Sequence, residues 1–182
     1  MIELSMHILD IVENSTRAGA TRVSVIITEN TDDDVLTIQI ADNGEGMDRD
    51  TIENALDPFY TTKKVRTIGL GLPMLLQATK MSDGHFSIES DRNKGTQVTA
   101  EFKCSHIDRQ PMGDIASTVI SLITGNPDTD FRLTYRKNDQ EYTLDTNEIK
   151  REVPGIAINI PEVLAVIKEN ICEGLKEIGA GD

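Results

Sequence analysis

The sequence predicts an α/β protein: a two-layer sandwich in which a mixed, largely antiparallel sheet carries helices on one face. Two observations predict this class. Apolar residues recur at helical spacing in several stretches, and between them lie stretches in which apolar and polar residues alternate, as in half-buried strands. Helices and strand pairs follow one another along the chain, which favours two layers packed around one aliphatic core.

The first predicted element is an amphipathic helix over residues 3–17. Its apolar side chains follow helical spacing and form one stripe. Three polar side chains, His7, Asp10 and Asn14, lie on the flank of that stripe. We therefore expect them at the border between the buried and the exposed face of the helix.

Alternating patterns predict four strands in the first part of the chain. They pair as two hairpins, one over residues 22–28 and 35–41 and the other over residues 85–90 and 96–102. The segments between the hairpins are a glycine-rich loop at 42–47, a short helix capped by Asp48 and ending near Leu56, a long loop at 57–71 and a helix at 72–81.

The character of the sequence changes after Cys104. The elements predicted there are a helix at 114–124, a charged hairpin over 131–136 and 141–145, and a helix at 161–178. We expect a ligand-binding domain over residues 1–104 and a carboxy-terminal extension of unknown role over residues 105–182.

Composition and charge narrow the function classes. The chain has 182 residues, of which 38% are hydrophobic and 27% charged, as is typical of a soluble domain with or without an extension. Its 18 Lys and Arg against 31 Asp and Glu give a formal charge of −13. Nucleic acids and anionic membranes attract concentrated positive charge, so the composition argues against both as partners. Phosphate ligands are still allowed, because backbone amides and a few local cations can bind them.

The sequence also predicts the compartment. There is no basic leader and no apolar run of roughly 18 residues, so we expect neither a secretion signal nor a membrane span. We therefore expect a cytoplasmic protein. Cys104 and Cys172 lie far apart without a CxxC pair, which favours reduced, buried thiols over a zinc site or a disulfide framework.

Asp10 and Asn14 are four residues apart on the predicted helix, so their side chains lie one above the other. A carboxylate above a carboxamide can polarise a water molecule and hold a hard cation. Mg²⁺ takes few ligands from a protein and several from phosphates and water, so a lone Asn oxygen is a sensible ligand for it. The alternative interpretation is a solvated polar face without a ligand.

The loop at 42–47 combines glycines with acidic side chains. Gly44 and Gly46 allow the backbone to approach a flat ligand, and Asp42, at the end of a buried strand, offers acceptors that suit an exocyclic amino group. The alternatives are a tight acidic turn and a calcium loop, although the calcium pattern needs oxygens at offsets that this stretch lacks.

A second glycine-containing stretch precedes the helix at 72–81. Its residues are Gly69, Leu70, Gly71 and Leu72. Amide groups at the start of a helix can point at a phosphate, but a lone GxG motif is weak evidence for such a site. The basic cluster nearby, Lys63, Lys64 and Arg66, is either a solvated loop or a counter-charge for phosphates.

Together and in this order, the motifs resemble the GHKL superfamily of ATP-binding domains, which is shared by type II topoisomerases, heat-shock chaperone ATPases, histidine kinases and mismatch-repair ATPases. DIVENSTRAGAT is similar to the first-helix motif of the mismatch-repair members, DNGEGM to the adenine-binding loop, and KGT to the last family motif. DPFYTTK followed by GLGL resembles the lid of histidine kinases. The resemblance covers about residues 1–103 and implies the Bergerat, or histidine kinase-like ATPase, fold.

The resemblance implies Mg-ATP as the ligand. It implies that Asn14 binds Mg²⁺, that Asp42 accepts a hydrogen bond from the adenine amino group, and that Thr96 adds a hydroxyl near the base. The loop residues that would shape the base pocket are Gly44, Gly46 and Met47.

The same resemblance implies a lid over residues 61–71 that closes over the triphosphate. Lys63 or Arg66 would then lie near the phosphate charge. The amides that would face the phosphates are those of Gly69, Leu70, Gly71 and Leu72.

One position departs from the family pattern. Hydrolysing members carry a glutamate as general base where this chain has Asp10, whereas histidine kinases commonly have asparagine there. A base must reach its water within about 3 Å, so the shorter carboxylate predicts slow hydrolysis. His7, one turn earlier, is a candidate proton shuttle or phosphoryl acceptor, although a histidine beside a polar site is more often a hydrogen-bonding neighbour.

Three functions follow from the resemblance. The first is a kinase-type signalling protein that transfers a phosphoryl group from Mg-ATP to a separate protein partner. The second is a slow ATPase switch in which ATP orders the lid and the extension binds or releases a partner. A DNA-repair-like role follows the first-helix motif, but the chain lacks the length for the second domain of those proteins, and its charge opposes DNA contact.

Overall fold

The computed structural model describes residues 3–57 and 70–180. The helices are α1 (Leu4–Arg17), α2 (Arg49–Leu56), α3 (Gly71–Met81), α4 (Ile115–Gly125), α5 (Thr146–Glu152) and α6 (Pro161–Glu177). The strands are β1 (Arg22–Asn30), β2 (Val35–Asp42), β3 (Phe86–Asp91), β4 (Gly95–Lys103), β5 (Asp130–Lys137) and β6 (Gln140–Asp145). Each helix and strand predicted above is confirmed to within a few residues. None of these helices is both long enough and apolar enough to cross a membrane.

The described strands form one mixed sheet in the order β3-β4-β2-β1-β5-β6. Among them, the pairing of β1 with β5 is parallel and the other pairings are antiparallel. Alternate residues of the central strands, such as Val25, Ile38 and Val98, are buried. Their neighbours Thr37 and Gln39, on the opposite face, are only partly buried. The structure confirms the predicted two-layer fold, with helices packed on a mixed sheet.

The helix α1 is anchored through its apolar stripe. Leu4, Ile8, Ile11 and Val12 are each at most 4% exposed. Both α3 and α4 contact α1, as do β1 and β2. This packing holds the polar flank of α1, with its aligned polar side chains, in a fixed place beside the sheet.

The carboxy-terminal extension continues the same sheet and core. β5 pairs along the length of β1, from Arg22 opposite Asp130 to Glu29 opposite Lys137. The segment before α4 is bonded to the start of α1, because the amide of Leu4 donates to the carbonyl of Pro111 at 2.9 Å. Residues 1–104 and 105–182 therefore share one sheet, although the sequence offered no indication of how they would pack.

The helix α5 is an element that the sequence did not predict. Asp145 caps it by accepting a hydrogen bond from the amide of Asn147 at 2.9 Å. α5 has seven residues, of which Ile149 alone is a large apolar one. A helix this short cannot show the periodicity on which sequence assignment relies.

The two thiols differ in their surroundings. Cys104 is partly buried, and burial raises the pKa of its thiol. Cys172 is exposed, so the expectation of a buried thiol was wrong there. The reason is the position of Cys172 on α6, where Ile171 and Leu175 occupy the buried face.

Asp48 caps α2 as predicted and so fixes the end of the glycine-rich loop. Its Oδ1 accepts from the amide of Thr51 at 2.9 Å, and Arg92 lies 2.5 Å from its Oδ2. The Thr51 hydroxyl, the Thr51 amide and Arg92 lower the pKa of this carboxyl to about 2. The cap therefore stays ionised over the whole physiological pH range.

The packing of α6 on β6 depends on a glycine, which gives a test of the extension. A Cβ on Gly174 would lie 2.1 Å from Cδ2 of Tyr142, whose hydroxyl donates to Asn170 Oδ1 at 2.7 Å. We expect Gly174→Ala to lower the free energy of unfolding by about 1–3 kcal/mol, because the ring must move. The measurement is urea denaturation.

Gly125→Ala is the matched control for this variant. Gly125 also lies in a helix, but no atom stands within 4 Å of the position that its Cβ would take. Equal losses of stability in the two variants would contradict the packing argument, since helix propensity alone favours alanine in both.

Candidate functional site

A cavity of about 280 Å³ opens beside α1. Six residues that the sequence singled out line it: Asn14, Asp42, Gly46, Met47, Leu72 and Thr96. The remaining lining residues are Ile11, Ser15, Arg17, Ala18, Ile40, Glu45 and Val98. The fold thus brings together the first helix, the end of β2, the glycine-rich loop, the start of α3 and β4.

The carboxylate of Asp42 is held in one orientation by three donors. Its Oδ1 accepts from the amide of Gly44 at 2.8 Å and from the amide of Thr96 at 3.3 Å. Its Oδ2 accepts from the hydroxyl of Ser15 at 2.6 Å. Because a carboxylate offers about four acceptor positions, one is left for a ligand in the cavity.

Glycines bring the loop and the β3–β4 turn into contact. Gly46 has a φ of +66°, and a Cβ there would lie 2.0 Å from the carbonyl oxygen of Asp91. Gly95 has a φ of +91°, and its Cβ would lie 1.9 Å from the carbonyl oxygen of Asp42. Only glycine fits these two positions. The sequence analysis predicts that the loop glycines let the backbone approach a ligand. In the structure they let the loop pack closely against other backbone segments of the protein. A Cβ on Gly44, for example, would lie 2.9 Å from the carbonyl oxygen of Ala18.

Ser90, which the sequence analysis missed, ties this region together. Its Oγ accepts from the amide of Met47 at 2.7 Å and donates to the carbonyl of Gly95 at 2.9 Å. Its Oγ also lies 2.9 Å from Oγ1 of Thr96. Since Ser90 has a single hydroxyl proton, Thr96 is the donor in that pair. The position of Met47 in the cavity wall thus depends on β3 and β4.

Asn14 lines the cavity beside a cation. Its Oδ1 accepts from Nη1 of Arg17 at 3.1 Å. Nη2 of the same guanidinium lies 2.7 Å from Oε2 of Glu13. The oxygen that the resemblance assigned to Mg²⁺ is therefore hydrogen-bonded within the protein. Among residues 3–57 and 70–180, no group of three or more His, Cys, Asp or Glu side chains is placed to hold a metal ion.

Asp10 lies next to the start of α3 and is not part of the cavity lining. A Cβ on Gly71 would lie 3.0 Å from Asp10 Cβ and 3.6 Å from its Oδ2. The missing side chain at Gly71 lets α3 begin close against α1. Leu70 precedes α3, is 62% exposed, and accepts the first helical hydrogen bond from Met74.

Three residues assigned to the lid fall outside the described part of the chain. They are Lys63, Arg66 and Gly69. The described residues end at Asp57 before this segment and resume at Leu70 after it.

Ser15 is the most informative residue that the sequence analysis missed. It follows Asn14 directly, is 5% exposed, and donates to Asp42 across 27 positions of sequence. One signal was available: Ser15 is four residues after Ile11, so helical spacing places it on the buried face of α1. Its partner on β2 could not be identified without the register between helix and sheet.

His7 is buried between α1 and the segment that leads to α4. It is 1% exposed, and its Nε2 lies 2.9 Å from Oε1 of Gln110. Since the amide oxygen accepts, Nε2 carries the proton. Nδ1 is buried and has no hydrogen-bond partner in the part of the chain that the structure describes. Burial lowers the pKa of His7.

Residues 2–106 match the family described as histidine kinase-, DNA gyrase B- and HSP90-like ATPases. The chain belongs to this family. Its amino-terminal part is therefore a GHKL ATP-binding domain, similar to the catalytic domains of histidine kinases. The residues that line the cavity all lie inside the matched range.

Several relatives of this GHKL domain are sensor proteins and kinases. A putative sensor protein of Shewanella frigidimarina is 29% identical over 108 residues, which are 58% of this chain and 16% of that protein. Sporulation kinase C of Bacillus subtilis is 33% identical over 94 residues, or 52% of this chain and 22% of the kinase. The tetrathionate sensor histidine kinase TtrS of Salmonella typhimurium is 33% identical over 119 residues, or 63% of this chain and 19% of TtrS. The chain spans only a small part of each of these relatives.

Solved structures support the GHKL fold over a longer stretch. The N-terminal domain of a DNA repair protein matches with a TM-score of 0.54 and 17% identity, covering 80% of this chain and 53% of that one. The Aquifex aeolicus MutL ATPase domain complexed with ADP matches with a TM-score of 0.50 and 18% identity, covering 80% and 63%. These matches show the fold, and they extend beyond residue 106 into the extension.

The buried histidine predicts a pH dependence of stability. The unfolded chain binds a proton at His7 near pH 6.5, whereas the folded chain, with its lowered pKa, binds it only at lower pH. The free energy of unfolding should therefore fall as the pH drops below about 6.5, by at most about 1.4 kcal/mol per pH unit from this group. In His7→Gln this contribution is absent, so the stability advantage of the wild type should shrink between pH 7.5 and pH 5.5, as measured by denaturation. Parallel curves for the two proteins would contradict it.

Proposed function

We propose that the protein binds Mg-ATP in the cavity beside α1 and acts as a signalling or regulatory protein, transferring a phosphoryl group to a separate partner or controlling it. The observation that carries this proposal is the carboxylate of Asp42, held by three donors at the wall of a mostly apolar cavity inside a GHKL domain. An acceptor with one position left over suits the amino group of adenine. The apolar walls suit its ring, and they are formed by Ile11, Ile40, Met47, Leu72 and Val98.

The phosphates would lie toward Asn14 and the start of α3. Asn14 fits Mg²⁺ as a single protein ligand, because this ion takes most of its ligands from phosphate and water. The bound ion would neutralise part of the charge of the phosphates. Mg²⁺ at Oδ1 would repel the Arg17 guanidinium that donates to the same oxygen, and so would favour its release from Asn14. A freed guanidinium at the cavity wall is itself suited to phosphate oxygens. The described chain thus offers Asn14, Arg17 and the first amides of α3 to the triphosphate.

Asp10 is the residue that we assign to proton transfer. It lies one helical turn from Asn14 and beside the first residue of α3, so a water or an acceptor hydroxyl at the phosphate end of the cavity would lie near it. Its carboxylate is one methylene shorter than glutamate, which favours slow hydrolysis over rapid turnover. Phosphoryl transfer to a positioned side chain of a partner depends less on a strong general base than hydrolysis does, because catalysis of this transfer is mostly positioning and charge stabilisation.

The alternative function is a slow ATPase switch, and one observation favours it. The first residues of α1 are bonded to the segment before α4, because Leu4 donates to Pro111 and Ser5 to Met112. A shift of α1 on nucleotide binding would therefore also move the extension. ATP could in this way change the affinity of the extension for a partner without any phosphoryl transfer.

Two substitutions separate binding from turnover. We expect Asp42→Ala to weaken binding of a non-hydrolysable ATP analogue roughly 10- to 150-fold, since a hydrogen bond to a charged group contributes about 1.5–3 kcal/mol. Asp10→Ala should bind the analogue normally and lose phosphate release. Calorimetry with and without Mg²⁺ measures the first, and phosphate release from ATP the second. Asp139→Ala, in an exposed turn, is the control. Unchanged affinity in Asp42→Ala would refute the assigned adenine contact.

The fate of the γ-phosphate distinguishes the two functions. The protein, together with the partner that co-purifies with it, is incubated with γ-labelled ATP. Label on the partner supports the kinase, and released phosphate alone supports the switch. Either signal should be absent in Asp10→Ala, because both reactions use the same base. Label or phosphate that persists in Asp10→Ala would remove Asp10 from the mechanism.

A further inference from the structure

A second concave surface lies at the β6 end of the sheet. We call it the edge groove: a cavity of about 660 Å³ between β6, α5 and α6. It shares no lining residue with the nucleotide cavity. β6 is the last strand of the described sheet, so no further strand covers this side among residues 3–57 and 70–180. The edge groove belongs to the extension and lies beyond the range that the family match covers.

The floor of the edge groove is apolar. Leu144 and Ile167 are 6% and 3% exposed and form its base, while Ile149 and Val163 are partly buried on its walls. Val166, one helical turn after Val163 on α6, also lines the groove and is 66% exposed. An exposed valine beside a concave apolar floor is the kind of surface that soluble proteins bury against a partner.

The rim of the edge groove is acidic. Glu148 and Glu152 lie four residues apart on α5, Glu162 lies in the first turn of α6, and all three are exposed. No Lys or Arg lines the groove, and within the described residues none of these three carboxylates forms an ion pair or a hydrogen bond. Glu152 also ends α5, where the negative end of the helix dipole disfavours a carboxylate. Glu148 and Glu162 lie in the first turns of α5 and α6, where the helix dipole favours a carboxylate, so the dipole argument applies to Glu152 alone. The rim is thus a negative surface that no cation among its lining residues neutralises.

We propose that the edge groove docks an amphipathic helix of a separate protein, with its apolar face on the floor and its Lys and Arg side chains against the acidic rim. The walls are helix faces whose residues recur at helical spacing, which suits a helix laid between them. A second copy of this chain is a poor occupant, because a twofold contact would bring the same carboxylates together. The proposal does not depend on nucleotide binding, since the two cavities are separate.

The test uses two labelled peptides and the full chain. Both are helical peptides of about 14 residues with leucines on one face; one carries flanking lysines and the other carries glutamates at the same positions. Binding is measured by fluorescence anisotropy without nucleotide. We expect the lysine peptide to bind at least tenfold more tightly than the glutamate peptide. In the double variant Glu148→Lys/Glu152→Lys the glutamate peptide should bind more tightly than the lysine peptide. Val166→Ser should lower the affinity for the lysine peptide several-fold.

Glu169→Lys is the matched control, since Glu169 lies on the exposed face of α6 outside the groove. It should leave both affinities nearly unchanged. Equal affinity for the two peptides would overturn the proposal, because the acidic rim would then play no part in binding. An equal effect of Glu169→Lys and the double variant would also overturn it, because general charge attraction would then explain the binding. Sedimentation of the chain alone gives a further test: a dimer that Val166→Ser abolishes would make a second copy the occupant. Thermal melting of each variant confirms that the fold is retained.

Discussion

The site depends on a single carboxylate that is bonded from three directions. Ser15 approaches Asp42 from α1, Gly44 from the loop and Thr96 from β4, so the helix layer, the loop and the sheet meet at one pair of oxygens. Such a charge needs these donors in order to be stable beside an apolar cavity. The same donors fix the direction in which its remaining lone pair points. Local stability and ligand recognition are thus produced by the same contacts.

The extension is built into the domain and is not a tail attached to it. β5 pairs with β1, one of the two central strands of the described sheet. Ile8 of α1 lines the same small internal cavity as Ile115 and Leu122 of α4. The helix that carries Asp10 and Asn14 is therefore held by the family domain and by the extension together. Any motion that a nucleotide causes in this helix is opposed or transmitted by both.

The sequence predicted the parts of the site whose geometry is local. The spacing of Asn14 on α1 and the position of Asp42 at the end of β2 follow from helix and strand periods, and the structure brings both to one cavity. Ser15 and Ser90 could not be assigned in this way, because their partners are set by the register between layers. The fold class was predictable from patterning, whereas the parallel pairing of β1 with β5 was not, since long-range pairing leaves no local signal. The residues proposed for the lid stay predictions.

The parallel pairing of β1 with β5 bears on how the protein can be divided. A fragment that stopped at the end of the family match would lack β5, and β1 would become an outer strand with unmatched amides and carbonyls from Arg22 to Glu29. An exposed edge strand of this kind can pair with strands of other chains, which promotes aggregation. The stretch that matches the family and the smallest stretch that keeps β1 paired on both sides are therefore different parts of this chain.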